Sequence, residues 1–173
     1  MSGTRKGLLL ALIQLALVLG IAGKFWWDRE HRPHVWVQAQ TYDPDLPIRG
    51  RYLAERLTFS AAGFSDAEAG DTREFWGKTA WAYLSVQDNH LVATRSGPGT
   101  RTFVYLRKHP TTGEISAVTA EPVLVFVPEH AQMPQLKSGD ELWVEVTIPA
   151  KGPPRPIRLG VMRDGRLDPL NFN

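Results

Sequence analysis

The chain of 173 residues contains no cysteine, and this absence removes two kinds of stabilising site. Disulfide bridges and thiolate zinc centres both require cysteine sulfur, so neither contributes to this fold. The compartment stays open on this evidence alone, because a cysteine-free domain suits oxidising and reducing surroundings equally.

The body of the chain also lacks an excess of positive charge, although the isoelectric point is near 9.0. Residues 1–32 hold five basic and two acidic residues, which leaves 15 basic and 16 acidic residues in the rest. A nearly neutral domain lacks the positive surface that phosphate binding requires. We therefore expect no nucleic-acid partner.

Clusters of catalytic or metal-binding residues are missing as well. Zinc needs three or four convergent ligands. The five histidines are instead scattered along the chain, at His31, His34, His90, His109 and His130. We predict no metal, no cofactor and no assigned catalytic residue.

One enzyme alternative stays open, a Ser–Lys hydrolase. Signal peptidases also combine an N-terminal anchor with a β-rich domain, and Gly139–Val144 resembles the entry of one of their strands. A serine becomes nucleophilic only beside a positioned base. The candidates are Ser60 or Ser85 with Lys78.

A single long apolar run, Gly7–Gly23, dominates the N-terminal part of the chain. It contains one clearly polar residue, Gln14, and follows a basic tail over residues 1–6. Counted to Trp27, a helix of this length spans roughly 30 Å, which matches a bilayer core. We predict a transmembrane signal anchor over 7–27 and a linker over 28–33, with membrane contacts from Leu8, Leu12, Leu15, Leu19, Trp26 and Trp27.

The alternative is a cleaved signal peptide, with Gly20-Ile21-Ala22 as a possible cleavage site. Cleavage there would leave Phe25-Trp26-Trp27 exposed near the new N-terminus, so retention is favoured. Because a long polar domain follows a short tail, we expect a single-pass protein of the bacterial inner membrane with its C-terminal domain in the periplasm.

Residues 34–173 alternate between apolar and polar side chains in short segments separated by turn residues. No long helix pattern follows the anchor, so we predict a mostly β domain, either a β-sandwich or a partly open barrel. The predicted strands cover 34–40, 50–59, 76–87, 90–95, 102–108, 116–120, 123–127, 141–148, 158–162 and 166–170.

Three segments resemble the GDYXXLXY-motif family of membrane-anchored bacterial proteins: Tyr42–Tyr52, Phe126–Glu129 and Arg163–Arg166. Their order matches across nearly the whole chain, although Arg51 stands where the motif has Asp. The resemblance implies a membrane-anchored extracytoplasmic domain that works beside a polytopic membrane protein. It supplies no catalytic residues.

Within the signature, Gly50 permits an unusual backbone or a close approach before a strand, and Tyr52 supplies a ring and a hydroxyl. A turn that sets strand register and a binding edge are both consistent with these residues.

Aromatic residues form the other candidate surface. If the alternating apolar residues face the core, the opposite faces carry Trp36, Trp81, Tyr83 and Trp143. Such a face indicates a protein or lipid contact, unless both sheet faces are covered.

We therefore expect an accessory or interaction module that docks on an integral membrane partner. A membrane-anchored hydrolase and a domain that binds a cell-envelope glycan or lipid remain the alternatives.

Overall fold

The computed structural model describes residues 3–41, 52–69, 77–128 and 136–171. The chain divides into two compact units, Met1–Arg32 and Pro33–Asn173. The predicted fold class is confirmed: an apolar N-terminal helix precedes a mostly β unit.

Helix α1 runs from Gly3 to His31. Its segment Arg5–Trp27 is long and apolar enough to cross a membrane, and none of this segment is buried. The six predicted membrane contacts all lie on it, each with more than half of its surface exposed. A signal sequence has the same length and composition, so the helix by itself indicates a membrane or secreted protein.

The second unit contains ten strands in its described part. Their bounds are β1 His34–Thr41, β2 Tyr52–Ala62, β3 Lys78–Gln87, β4 His90–Thr94, β5 Thr100–Lys108, β6 Ile115–Thr119, β7 Val123–Phe126, β8 Glu141–Thr147, β9 Arg155–Arg163 and β10 Arg166–Pro169.

Five of these strands close into a barrel in the order β2-β4-β3-β5-β6, with β6 pairing back to β2. The β2–β4 pair is parallel and the other pairs are antiparallel. Of the two predicted architectures, the barrel is therefore the better description, and it is closed. Closure removes the unpaired edges that an open sheet of these strands would present.

The remaining strands extend from the other half of β2. Strand β7 pairs with its first four residues on one side, and β1 pairs with Glu55–Thr58 on the other. Strands β8, β9 and β10 follow β1 in order, each antiparallel to its neighbour. We call β7, β2, β1, β8, β9 and β10 together the second sheet. Strand β2 thus belongs to both the closed barrel and the second sheet, and it pairs with four strands.

The change of partner along β2 leaves one backbone group without a ladder bond. Opposite Leu57, β6 ends at Thr119 and β7 does not begin until Val123. The Leu57 amide instead donates to the Thr119 hydroxyl, with 3.1 Å between N and Oγ1, in a buried setting. A side chain therefore replaces the missing carbonyl acceptor, as a buried N–H requires.

The core contains the inward residues of every main strand, and the predicted inward faces of β1, β3 and β8 are correct. Four leucines are fully buried, Leu57, Leu84, Leu106 and Leu159. Burying each one stabilises the fold by about 1.5–3 kcal/mol. Glu55 is also fully buried and shares the alternation of Leu57 on β2, which the sequence reading did not identify.

Two turns have the backbone that Asp-Gly and Asp-Asn favour in tight hairpins. Asp164 and Gly165 both have positive φ, 50° and 76°, as a type I′ turn between β9 and β10 requires. Asp88 and Asn89 have the same signs between β3 and β4, with φ of 48° and 62°. Both tight hairpins therefore follow from local sequence.

Ser65 and Glu68 have the spacing of a capping box for a short helix over 65–74, with an acidic surface loop as the favoured alternative, and the described part of this segment is a turn. The Glu68 carboxylate accepts hydrogen bonds from the Ser65 amide and hydroxyl, and these bonds hold the pKa of Glu68 below its usual value. The capping contact thus forms, but residues 66–69 do not continue as a helix. The sequence of residues 129–139 also permits a short helix, although Pro134 limits it, and most of that segment lies outside the described residues.

We predict that Thr119→Val lowers the free energy of unfolding by about 1–3 kcal/mol, because it leaves the buried Leu57 N–H without an acceptor. Urea unfolding of the full chain in detergent, followed by tryptophan fluorescence, measures this change. Thr79→Val is the matched control, because Thr79 is exposed on β3. An equal effect of both substitutions would contradict the role of the Thr119 hydroxyl.

Candidate functional site

The predicted aromatic residues do lie on outward faces, but they form two separate surfaces. Trp36 and Trp143 line one groove, which we call the tryptophan groove. Trp81 lies beside Arg101 and Phe103 on the barrel wall, and we call these three residues the arginine–tryptophan patch.

The tryptophan groove exists because β2 changes partners. Strand β1 is paired to β2 as far as Thr58, and β4 takes over from Ser60 onward. The first halves of β1 and β4 therefore flank a gap over the middle of β2. The gap has a volume of about 200 Å³ and is lined by Trp36, Val37, Gln38, Thr58, Phe59, Ser60, His90, Leu91 and Trp143.

Sheet register brings the two tryptophans together. Trp36 lies opposite Glu145 across the β1–β8 pair, and Gln38 lies opposite Trp143. The two indoles are therefore diagonal neighbours on one face of the sheet. Gly160 provides the space for the Trp36 ring, because a Cβ at Gly160 would lie 2.8 Å from its Cζ3 atom.

An ion pair between a nearly buried glutamate and a half-exposed arginine lies directly beside Trp36. The Glu145 side chain is only 10% exposed and accepts a hydrogen bond from Arg158 Nε at 2.5 Å. The Arg158 guanidinium carbon also lies 5.4 Å from the centre of the Trp36 ring. His34 Nδ1 is 3.5 Å from the same carboxylate. This cluster supports one wall of the groove.

Among the residues that the structure describes, the lining of the groove contains no Lys, Arg, Asp or Glu. Its polar groups are the Gln38 amide, the Thr58 and Ser60 hydroxyls and the His90 imidazole. The Thr58 hydroxyl oxygen is buried and has no hydrogen-bond partner among the described residues. Because buried polar atoms in proteins are nearly always paired, this oxygen marks a position where a further partner would be favourable.

The arginine–tryptophan patch is more open. Trp81 is 54% exposed and Phe103 is 39% exposed, with 5.1 Å between their ring centres. The Arg101 guanidinium carbon lies 4.4 Å from the centre of the Trp81 ring, a cation–π distance. A depression of about 170 Å³ separates these residues from Pro153 and Pro154 in the β8–β9 connection.

Three predicted residues remain. Tyr83 follows Trp81 on the same face of β3 and pairs across the sheet with Arg101, so it borders the patch. Tyr52 packs its ring edge-on against Phe126, with 5.5 Å between centres, and both are exposed. Gly50 lies outside the described residues.

The serine and lysine candidates are not brought together on β3. Lys78 and Ser85 are seven positions apart on this strand, roughly 23 Å, and point to opposite faces. The Lys78 ammonium donates to the Ala67 carbonyl at 2.9 Å. Ser60 lies in the tryptophan groove instead. Among the residues that the structure describes, no cluster of three metal-ligating side chains occurs.

Sequence reasoning missed three contributors to these surfaces. Arg101 and Phe103 alternate outward on β5 as Trp81 and Tyr83 do on β3, so the alternation was a usable signal. Arg158 had no such signal, because the β8–β9 register shifts between Glu145 and Val146.

Comparison of the chain with protein-family models, with curated proteins and with solved structures finds no match. The interpretation of both surfaces therefore rests on their geometry.

We predict that Arg158→Met destabilises the domain by about 1–3 kcal/mol, because the nearly buried Glu145 carboxylate loses its closest donor. Arg166→Met is the control: Arg166 is 85% exposed and pairs with Asp168 at the surface. Exposed pairs of this kind contribute about 0–1 kcal/mol. Urea midpoints that shift equally in the two variants would contradict a supporting role for the Arg158–Glu145 pair.

Proposed function

We propose that the chain is a membrane-anchored, non-catalytic binding module whose β domain docks on an integral membrane protein through the arginine–tryptophan patch. One observation carries the proposal: Trp81 is 54% exposed and is backed by Phe103 and Arg101. Tryptophan and arginine are the residues most enriched among interface hot spots.

Leaving this patch in water costs free energy that a partner recovers. A large aromatic ring with half its area exposed stabilises a complex when it enters a pocket, at about 25 cal/mol per Å² of apolar surface buried. The ring is already oriented by Phe103 and Arg101, so less side-chain entropy is lost on docking. The barrel wall beneath it is rigid, since Ala82 and Leu84 on the opposite face of β3 are fully buried.

The chemistry of the patch indicates the chemistry of its partner. Arg101 offers a guanidinium beside the indole, and Glu121 borders the same depression. We infer an extracytoplasmic loop with an apolar side chain for the Trp81–Phe103 surface and a carboxylate for Arg101.

The N-terminal helix supports a membrane-embedded partner. Only Arg32 and Pro33 lie between α1 and β1, so a retained helix keeps the domain within a short reach of the bilayer. In this proposal the helix is an uncleaved signal anchor in the bacterial inner membrane, and the domain is periplasmic. The resemblance of the signature segments to the GDYXXLXY-motif family is consistent with this arrangement.

The proposal predicts that Trp81→Ala abolishes a specific complex while the domain stays folded. A photo-reactive residue at Thr79, which is exposed two positions from Trp81 on the same outward face of β3, should cross-link the partner in intact membranes. We expect mass spectrometry to identify an integral membrane protein, and the adduct to disappear in the Trp81→Ala and Arg101→Ala variants.

Phe126→Ala is the matched control, because Phe126 is an equally exposed aromatic residue on β7. The adduct should persist in this variant. The purified chain should retain its full mass of 19.4 kDa, which a cleaved leader would reduce. Adducts with soluble proteins only would overturn the assignment. Loss of the adduct in Phe126→Ala but not in Trp81→Ala would overturn it as well.

A further inference from the structure

We propose that the tryptophan groove binds one pyranose ring of an uncharged oligosaccharide. The groove is a different surface from the arginine–tryptophan patch, so this inference does not depend on the docking partner. It follows from three properties of the lining: its indoles, its uncharged polar groups and its size.

The indoles supply the apolar part of the recognition. Trp36 and Trp143 are both half-buried, so each ring is held in place and still presents surface to the groove. The Trp143 indole nitrogen donates to Glu141 at 3.1 Å, which fixes the orientation of that ring. One face of a pyranose ring presents only C–H bonds, and such a face packs on the negative face of an aromatic ring.

The polar groups match the rim of a sugar ring. The lining offers an amide, two hydroxyls and an imidazole, from Gln38, Thr58, Ser60 and His90. Together these groups include both donors and acceptors, which a ligand covered in hydroxyl groups needs. In the described part of the chain, no lysine, arginine, aspartate or glutamate lines the groove. An anionic ligand would therefore find no counter-charge, whereas a neutral polyol can pair with every group.

The Thr58 hydroxyl makes the inference specific. Its oxygen is buried and has no partner among the described residues, so a ligand hydroxyl that reached it would satisfy it.

The volume limits what can bind. At about 200 Å³ the groove is smaller than the roughly 300–1,000 Å³ that encloses a drug-sized ligand. It accommodates one ring, while the rest of an oligosaccharide extends into solvent. We therefore expect weak binding, with a dissociation constant on the order of 1 mM.

The test uses the full chain in phosphatidylcholine nanodiscs. Glycolipids and glycoside detergents are left out, because their sugar head groups would compete with the probes for the groove. Chitotetraose and cellotetraose serve as the probes, and saturation-transfer NMR measures their binding. We expect transfer to the pyranose C–H protons of at least one probe. Absence of transfer to both probes would overturn the inference.

Thr58→Val and Ser60→Ala test the site without damaging the fold. Because the Thr58 hydroxyl has no partner among the described residues, its replacement should leave the urea midpoint unchanged or higher and weaken probe binding about fivefold or more. Trp143→Ala should abolish binding if it folds. Trp81→Ala is the control, because Trp81 lies outside the groove and should leave binding unchanged.

The remaining outcomes separate this site from other binders. Unchanged affinity in both Thr58→Val and Ser60→Ala would overturn the inference, as would loss of binding in Trp81→Ala. Preferential binding of a sulfated oligosaccharide would also overturn the inference, because the described lining has no charge that could select an anion. Displacement of chitotetraose by a proline-rich peptide would overturn it too, because the groove would then be a peptide site.

Discussion

The structure depends on a single strand whose two edges are both fully used. Strand β2 pairs with β1 and β4 on one edge and with β7 and β6 on the other. Each edge must change partners midway, and each change has a consequence. On one edge the Leu57 amide needs the Thr119 hydroxyl, and on the other the strands diverge and open the tryptophan groove. A constraint of backbone hydrogen bonding thus creates the tryptophan groove.

This arrangement also explains why the candidate surfaces are on the outside. The inward residues of the barrel and of the second sheet form one continuous apolar core, so the interior has little room for a ligand. Outward residues are free of that requirement, and two groups of them are aromatic. The rigid walls hold the indoles at the surface, which lowers the entropy lost when they engage a partner.

Local features of the fold, including two hairpins, were predictable from sequence, and the pairing of strands distant in sequence was not. Alternation identified the inward residues of β1, β3 and β8, and Asp-Gly identified the last hairpin. Alternation also placed Trp36 and Trp143 outward. It did not reveal that they share a groove, because 107 positions separate them and only the β1–β8 register joins them. The parallel β2–β4 pair, which closes the barrel, has no local signature.

Hydrogen–deuterium exchange of the full chain tests most directly the claim that the fold depends on β2. We expect the amides from Arg56 to Ser60 to exchange last in the domain, only through global unfolding, because partners on both edges must separate first. In the Thr119→Val variant, exchange of the Leu57 amide should accelerate more than exchange of the β3 amides. Exchange of these amides by local opening, faster than that of β3 or β5, would contradict the account.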